Sequence, residues 1–158
     1  MFIYPVRSSC ALLALFSLPT VAASIDGLWD CAQSETAGTI KIVTQLQQHY
    51  DTSSGVSQAK GQIELYQQGV LDAQFNLDIT GTFSLDGSHL TEQASSVKVE
   101  STLPSTDAYR AQQLSQQLEQ AIKAGTDVDV LVLDAQQLQV KDRASGQVYS
   151  CQRASSAV

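Results

Sequence analysis

Few side chains in this 158-residue chain are equipped for chemistry: two histidines (His49 and His89), three cysteines (Cys10, Cys31 and Cys151), and the closely spaced carboxylates Asp127 and Asp129. A metal centre needs His, Cys, Asp or Glu grouped at ligand spacing. Neither histidine has such a neighbour in the sequence, and both read as exposed turn residues. No Gly-x-Ser-x-Gly, phosphate-binding glycine loop or Cys-His nucleophile arrangement occurs. Asp127 and Asp129 fall on one face of a strand, where two carboxylates can act as general acid and base or contribute to a calcium site. With no further ligand nearby, the ordinary reading is a solvated strand start. The expectation is a protein that is not an enzyme and carries no metal or cofactor.

Composition narrows the partners. The net charge is −7, with nine Lys and Arg against sixteen Asp and Glu, whereas phosphate binding needs clustered basic residues. A nucleic-acid partner is therefore excluded from the expectation. Residues 1–23, MFIYPVRSSCALLALFSLPTVAA, place Arg7 before the apolar stretch Ala11 to Leu18 and end on Val21-Ala22-Ala23 before Ser24. This is the pattern of a secretory signal peptide. The apolar stretch is about half the roughly 20 residues a membrane span needs, so no span is expected after cleavage. Cys10 lies ahead of the apolar stretch behind Arg7-Ser8-Ser9, which is no lipidation site. Residues 24–158 then carry net charge −8, because Arg7 is the one charged side chain removed.

The remaining cysteines, Cys31 and Cys151, stand near the two ends of that chain. An even pair in an oxidising compartment favours a disulfide; two buried free thiols are the other reading. A bond between them makes the first and last elements neighbours in space. The localisation expected is periplasmic or secreted.

Hydropathy alternation supplies the elements that must position these groups. Trp29 and Cys31 share one parity; Ile40, Ile42, Thr44 and Leu46 share a second strand's face; Ile63 and Leu65 mark a third. Leu71 to Leu85 alternate over an unusually long fourth strand, in which Gly81 is placed at a bulge or bend. Asp86-Gly87 turns into a fifth strand, His89 to Glu100, with Val97 and Val99 in phase. Val128 to Leu133, Leu138 to Lys141 and Val148 to Gln152 are three short strands, the last two joined at Ser145-Gly146. Between strands five and six, Asp107 to Ala124 puts Ala111, Leu114, Leu118, Ala121 and Ile122 on one helical face. Ser105, Thr106 or Asp107 can cap its start, and Gly125 ends it. Eight antiparallel strands with terminal cysteines close most economically into an up-and-down barrel. A two-sheet sandwich is the other arrangement.

Three stretches carry a resemblance. Asp26-Gly27-Leu28-Trp29 resembles the Gly-x-Trp opening of lipocalin-like (calycin) proteins. Gly81 to Leu90 is similar to the mid-barrel strand and hairpin of bacterial lipocalin-like domains, and Leu138 to Arg153, ending in Cys-x-Arg, to their closing strands. The helix before the last three strands resembles the plan of periplasmic calycin-like subunits of the ToxS type, which accompany membrane transcription regulators and some of which bind bile salts with their partner. The resemblance implies that residues 24–158 form one lipocalin-like β-barrel domain.

An eight-stranded barrel is filled by its side chains or holds one small ligand. Both readings stand for the inward residues, which include Ile42, Ile79, Val97 and Val99. The ligand reading takes Trp29, Leu46, Leu65, Phe75, Leu77 and Phe83 as lining and Leu114, Leu118 and Ile122 as an apolar lid. Thr44, Ala73 and Gly81 leave room inside. It expects a fatty acid, a bile-like steroid or another small amphiphile, in a chamber of at least about 300 Å³. The alternative is a filled barrel serving as a protein-interaction module, an envelope accessory subunit or a hydrolase inhibitor. Its feature is the Gln-rich helix face formed by Gln112, Gln113, Gln116, Gln117 and Gln120, for which solvation alone is the plainer account.

Overall fold

Alternating apolar and polar residues fold here into eight strands that meet edge to edge. The computed structural model describes residues 23–102 and 108–155. The strands are β1 (Gly27–Ala37), β2 (Ile40–Asp51), β3 (Val56–Gln67), β4 (Val70–Asp86), β5 (His89–Ser101), β6 (Thr126–Leu133), β7 (Gln137–Asp142) and β8 (Val148–Arg153). The single helix among the described residues, α1 (Ala108–Lys123), lies between β5 and β6. Every neighbouring pair is antiparallel, and β1 pairs with both β2 and β8, so the sheet closes into a barrel. Closure removes the unpaired edges that would otherwise recruit other chains. The proposed leader up to Ala22 and the capping candidates Ser105, Thr106 and Asp107 lie outside the described residues.

The wall is not of even height. Strands β1 to β5 have eleven to seventeen residues, whereas β6 to β8 have six to eight. Strand β8 pairs with β1 only from Trp29 to Ala32, and β6 pairs with β5 only from His89 to Glu92. Beyond Glu92, the edge of β5 away from β4 is accompanied by α1 instead of a strand. The helix stops where read: the amides of Ala124 and Gly125 bond to carbonyls of Gln120 and Ile122, and Gly125 adopts φ +86°.

One end of the barrel is sealed. Ile25, Trp29, Tyr50, Leu90, Val128, Leu138 and Cys151 form a buried cluster there. The Trp29 indole Nε1 donates to the Ile25 carbonyl at 2.7 Å, drawing residues 23–26 across the end. The Arg153 guanidinium lies 4.1 Å from the Trp29 ring and donates to the carbonyls of Ser24, Asp26 and Ala135 at 2.6–2.9 Å. Thus the Trp of Gly27-Leu28-Trp29 and the Arg of Cys151-Gln152-Arg153, far apart in sequence, form one stacked pair. Gly27 fits between them because its φ is +106° and a Cβ there would stand 2.8 Å from Arg153 Nη1.

Cys31 and Cys151 face each other in register and are disulfide-bonded, with Cα atoms 4.1 Å apart. The bond stitches the seam at which β8 returns to β1. No helix among the described residues is long and apolar enough to cross a membrane.

Candidate binding site

The inward faces of the strands do not fill the barrel completely. One chamber of about 220 Å³ lies under the C-terminal end of α1, with Leu46, Ala59, Ile63, Leu77, Ile79 and Ile122 among its walls. A second, of about 200 Å³, lies against the disulfide, with Tyr50, Leu90, Val128, Leu138 and Val140 among its walls. Both are lined by Thr44, Leu46, Gln48, Glu92 and Thr126, so they adjoin across the barrel. Neither alone reaches the roughly 300 Å³ of an ordinary small-molecule pocket. A ligand of that size has to occupy both.

Two glycines let the strands around this space approach one another closely. Gly61 on β3 and Gly81 on β4 both face inward. A Cβ on Gly61 would come 1.9 Å from the Gln45 carbonyl oxygen, and one on Gly81 would come 2.4 Å from that of Gln93. The neighbouring backbones can approach this closely only because no side chain intervenes. At Gly81 the register with β5 also shifts, but the extra residue of the bulge is Ser95 in β5, opposite Gly81, and not a residue of β4.

The predicted lining residues separate into groups. Leu46, Leu77 and Ile122 line the chambers. Trp29 and Phe75 are wholly enclosed by packed neighbours, and Phe83 packs edge-on against Tyr50 at 4.9 Å beside the sealed end. Leu65, Leu114 and Leu118 are half-buried, with Leu114 and Leu118 on the same side of α1 as Ile122. The exposed positions Gln112, Gln113, Gln116, Gln117 and Gln120 occupy its outer side.

At the junction of the two chambers stands a polar cluster that the alternation did not reveal. Glu92 projects inward from β5. Gln48 Nε2, from β2, donates to its Oε1 at 2.9 Å, and the hydroxyls of Tyr50 and Ser57 also hydrogen-bond to the carboxylate. Burial pushes the Glu92 carboxyl above its ordinary value, and the two hydroxyls offset part of that rise. Burial, reinforced by the charge of Glu92, pushes the Tyr50 phenol well above its own. No Lys, Arg or His lines either chamber among the described residues.

The groups first singled out for chemistry are elsewhere. His49 is exposed within β2 rather than in a turn, opposite Leu28 and Gln58. His89 opens β5 just after the Gly87-Ser88 connection, with Nε2 2.6 Å from Asp127 Oδ1 and 3.3 Å from Arg143. Arg143 also reaches Asp129 at 3.2 Å. Asp127 and Asp129 therefore belong to an ion-paired surface cluster tying β5, β6 and the β7–β8 connection. No group of three or more metal-ligating side chains occurs among the described residues.

No family model matches the chain, and no curated protein matches it in sequence. The closed eight-stranded barrel is consistent with a calycin-like fold.

Proposed function

We propose that the protein is an exported, non-enzymatic binding protein of calycin type that holds one small apolar or amphiphilic molecule inside its barrel, beneath α1. The observation that carries this reading is the pair of adjoining, mainly apolar chambers around Thr44, Leu46, Gln48, Glu92 and Thr126. Concave apolar space with a few converging polar groups is the usual form of a small-molecule site. A packed barrel would have placed larger side chains at Thr44 and Ala59.

Export to the periplasm or the medium is supported by the signal-like residues 1–23 and by the disulfide, which persists in oxidising compartments. The order of strands and helix supports kinship with the ToxS-type periplasmic subunits. An envelope partner of that kind would meet the outer surface, leaving the chambers for the ligand.

Native mass spectrometry of the protein purified gently from its own envelope tests the proposal. The expected spectrum shows a small-molecule adduct that is absent from Thr44→Phe, whose added ring occupies the wall common to both chambers. An adduct-free barrel travelling with a second protein would instead support the interaction module.

A further inference from the structure

The charge inside the barrel says what kind of head group the ligand carries. Four polar side chains from three strands converge between the chambers: Glu92 from β5, Gln48 and Tyr50 from β2, and Ser57 from β3. The three partners of Glu92 are neutral. Burying an ionised carboxylate away from water is costly unless it is both hydrogen-bonded and paired. A carboxylate offers about four acceptor positions, and Gln48, Tyr50 and Ser57 supply three donors. What the cluster lacks is a cation. Glu92 lines both chambers, so a ligand in either can reach it.

We propose that the barrel selects a small amphiphilic amine, whose ammonium group pairs with Glu92 while its hydrocarbon part lies against Leu46, Ile63, Leu77 and Ile79. This rests on the reading of the barrel as a binding chamber. It reverses one sequence expectation, because a fatty acid or a bile acid would bring a second negative charge to a site with no basic side chain among the described residues. The raised pKa of Glu92 fits a carboxylate whose counter-charge arrives with the ligand. Tyr50 and Tyr149 are the other titratable side chains on the chamber walls, and neither supplies a positive charge.

Octylamine, octan-1-ol and octanoate share one chain and differ only in the head. Isothermal titration of each into the full disulfide-bonded protein at neutral pH isolates that difference. The amine is expected to bind at least about tenfold more tightly than the alcohol, with octanoate weakest. In Glu92→Gln, shown by its melting transition to be folded, the amine's advantage over the alcohol should shrink to within about twofold. This control separates the chamber from attraction of the amine to the acidic exterior. An amine no tighter than the alcohol, or an advantage that survives in Glu92→Gln, overturns the head-group assignment and leaves the binding chamber standing. Failure of all three to bind overturns both.

Discussion

A carboxyl group held between Gln48, Tyr50 and Ser57 costs the empty fold stability, whatever it contributes to a ligand. Its pKa is raised in the folded state, so between the ordinary carboxylate range and that raised value the folded protein binds more protons than the unfolded chain. Glu92 therefore favours folding most at low pH, and that contribution is lost as pH rises through its raised pKa. Glu92→Gln keeps the shape and removes the charge. It should melt at a higher temperature than the native protein at neutral pH, with the difference closing as pH falls toward the ordinary carboxylate range. Thermal melts across pH measure this directly. The residue escaped the sequence reading for a physical reason. Counting back by twos from Val97 and Val99 turns Glu92 outward, but Thr80 pairs with Ser96 and Gly81 with Ala94, so Ser95 is an extra residue. That bulge switches the inward parity of β5 from Val97 and Val99 to Leu90, Glu92 and Ala94. Leu90, fully buried and in phase with Glu92, was the available signal.

At the scale of elements, period-two runs located all eight strands and period 3.6 located the helix, because each element buries one face. Asp107 to Ala124 was expected as helix, and Ala108–Lys123 is observed within it. Less legible was where neighbouring strands would crowd, since that depends on partners distant in sequence. Gly61 carried no mark in its own strand's pattern, yet it lies opposite Leu46 and Leu77 with the β2 backbone against it. Gly61→Ala should destabilise the barrel by about 1–3 kcal/mol, the usual cost of forcing atoms into an occupied site. Urea denaturation read by far-ultraviolet circular dichroism would show it. The turns are also held by carboxylates. Asp51 accepts from Ser53 and Ser54, and chiefly the hydroxyls of these two hold its pKa down to about 2. Asp134 and Asp142 act likewise on the turns before β7 and before β8, with lowered values. Their support is complete above the ordinary carboxylate range and is lost only as pH falls through these lowered values.

The whole molecule is a barrel whose first and last strands are joined covalently. The Cys31–Cys151 bond spans a sequence separation of 120, and a loop of that length removes about 4–5 kcal/mol of unfolded-state entropy in the chain-entropy model. Cys31→Ser with Cys151→Ser should lose stability of that order in equilibrium denaturation, and reductant should change the native protein in the same direction while leaving the double variant unaffected. Terminal cysteines and Gly-x-Trp pointed to this closure from the sequence. The space inside did not follow from any stretch, because it depends on Thr44, Ala59 and Gly81 meeting from three strands beneath a helix that stands where a strand would have run. Trp29, sealed at the opposite end, reports on folding more than on occupancy. Whether this interior takes a ligand is measured most directly by amide chemical-shift mapping while octan-1-ol is titrated into the isotope-labelled protein. Saturable shifts concentrated at Thr44, Gln48, Ala59, Glu92, Ile122 and Thr126, and abolished in Thr44→Phe, are the predicted result. Shifts that never saturate, or that fall on the outward residues while the inner wall stays silent, would contradict it.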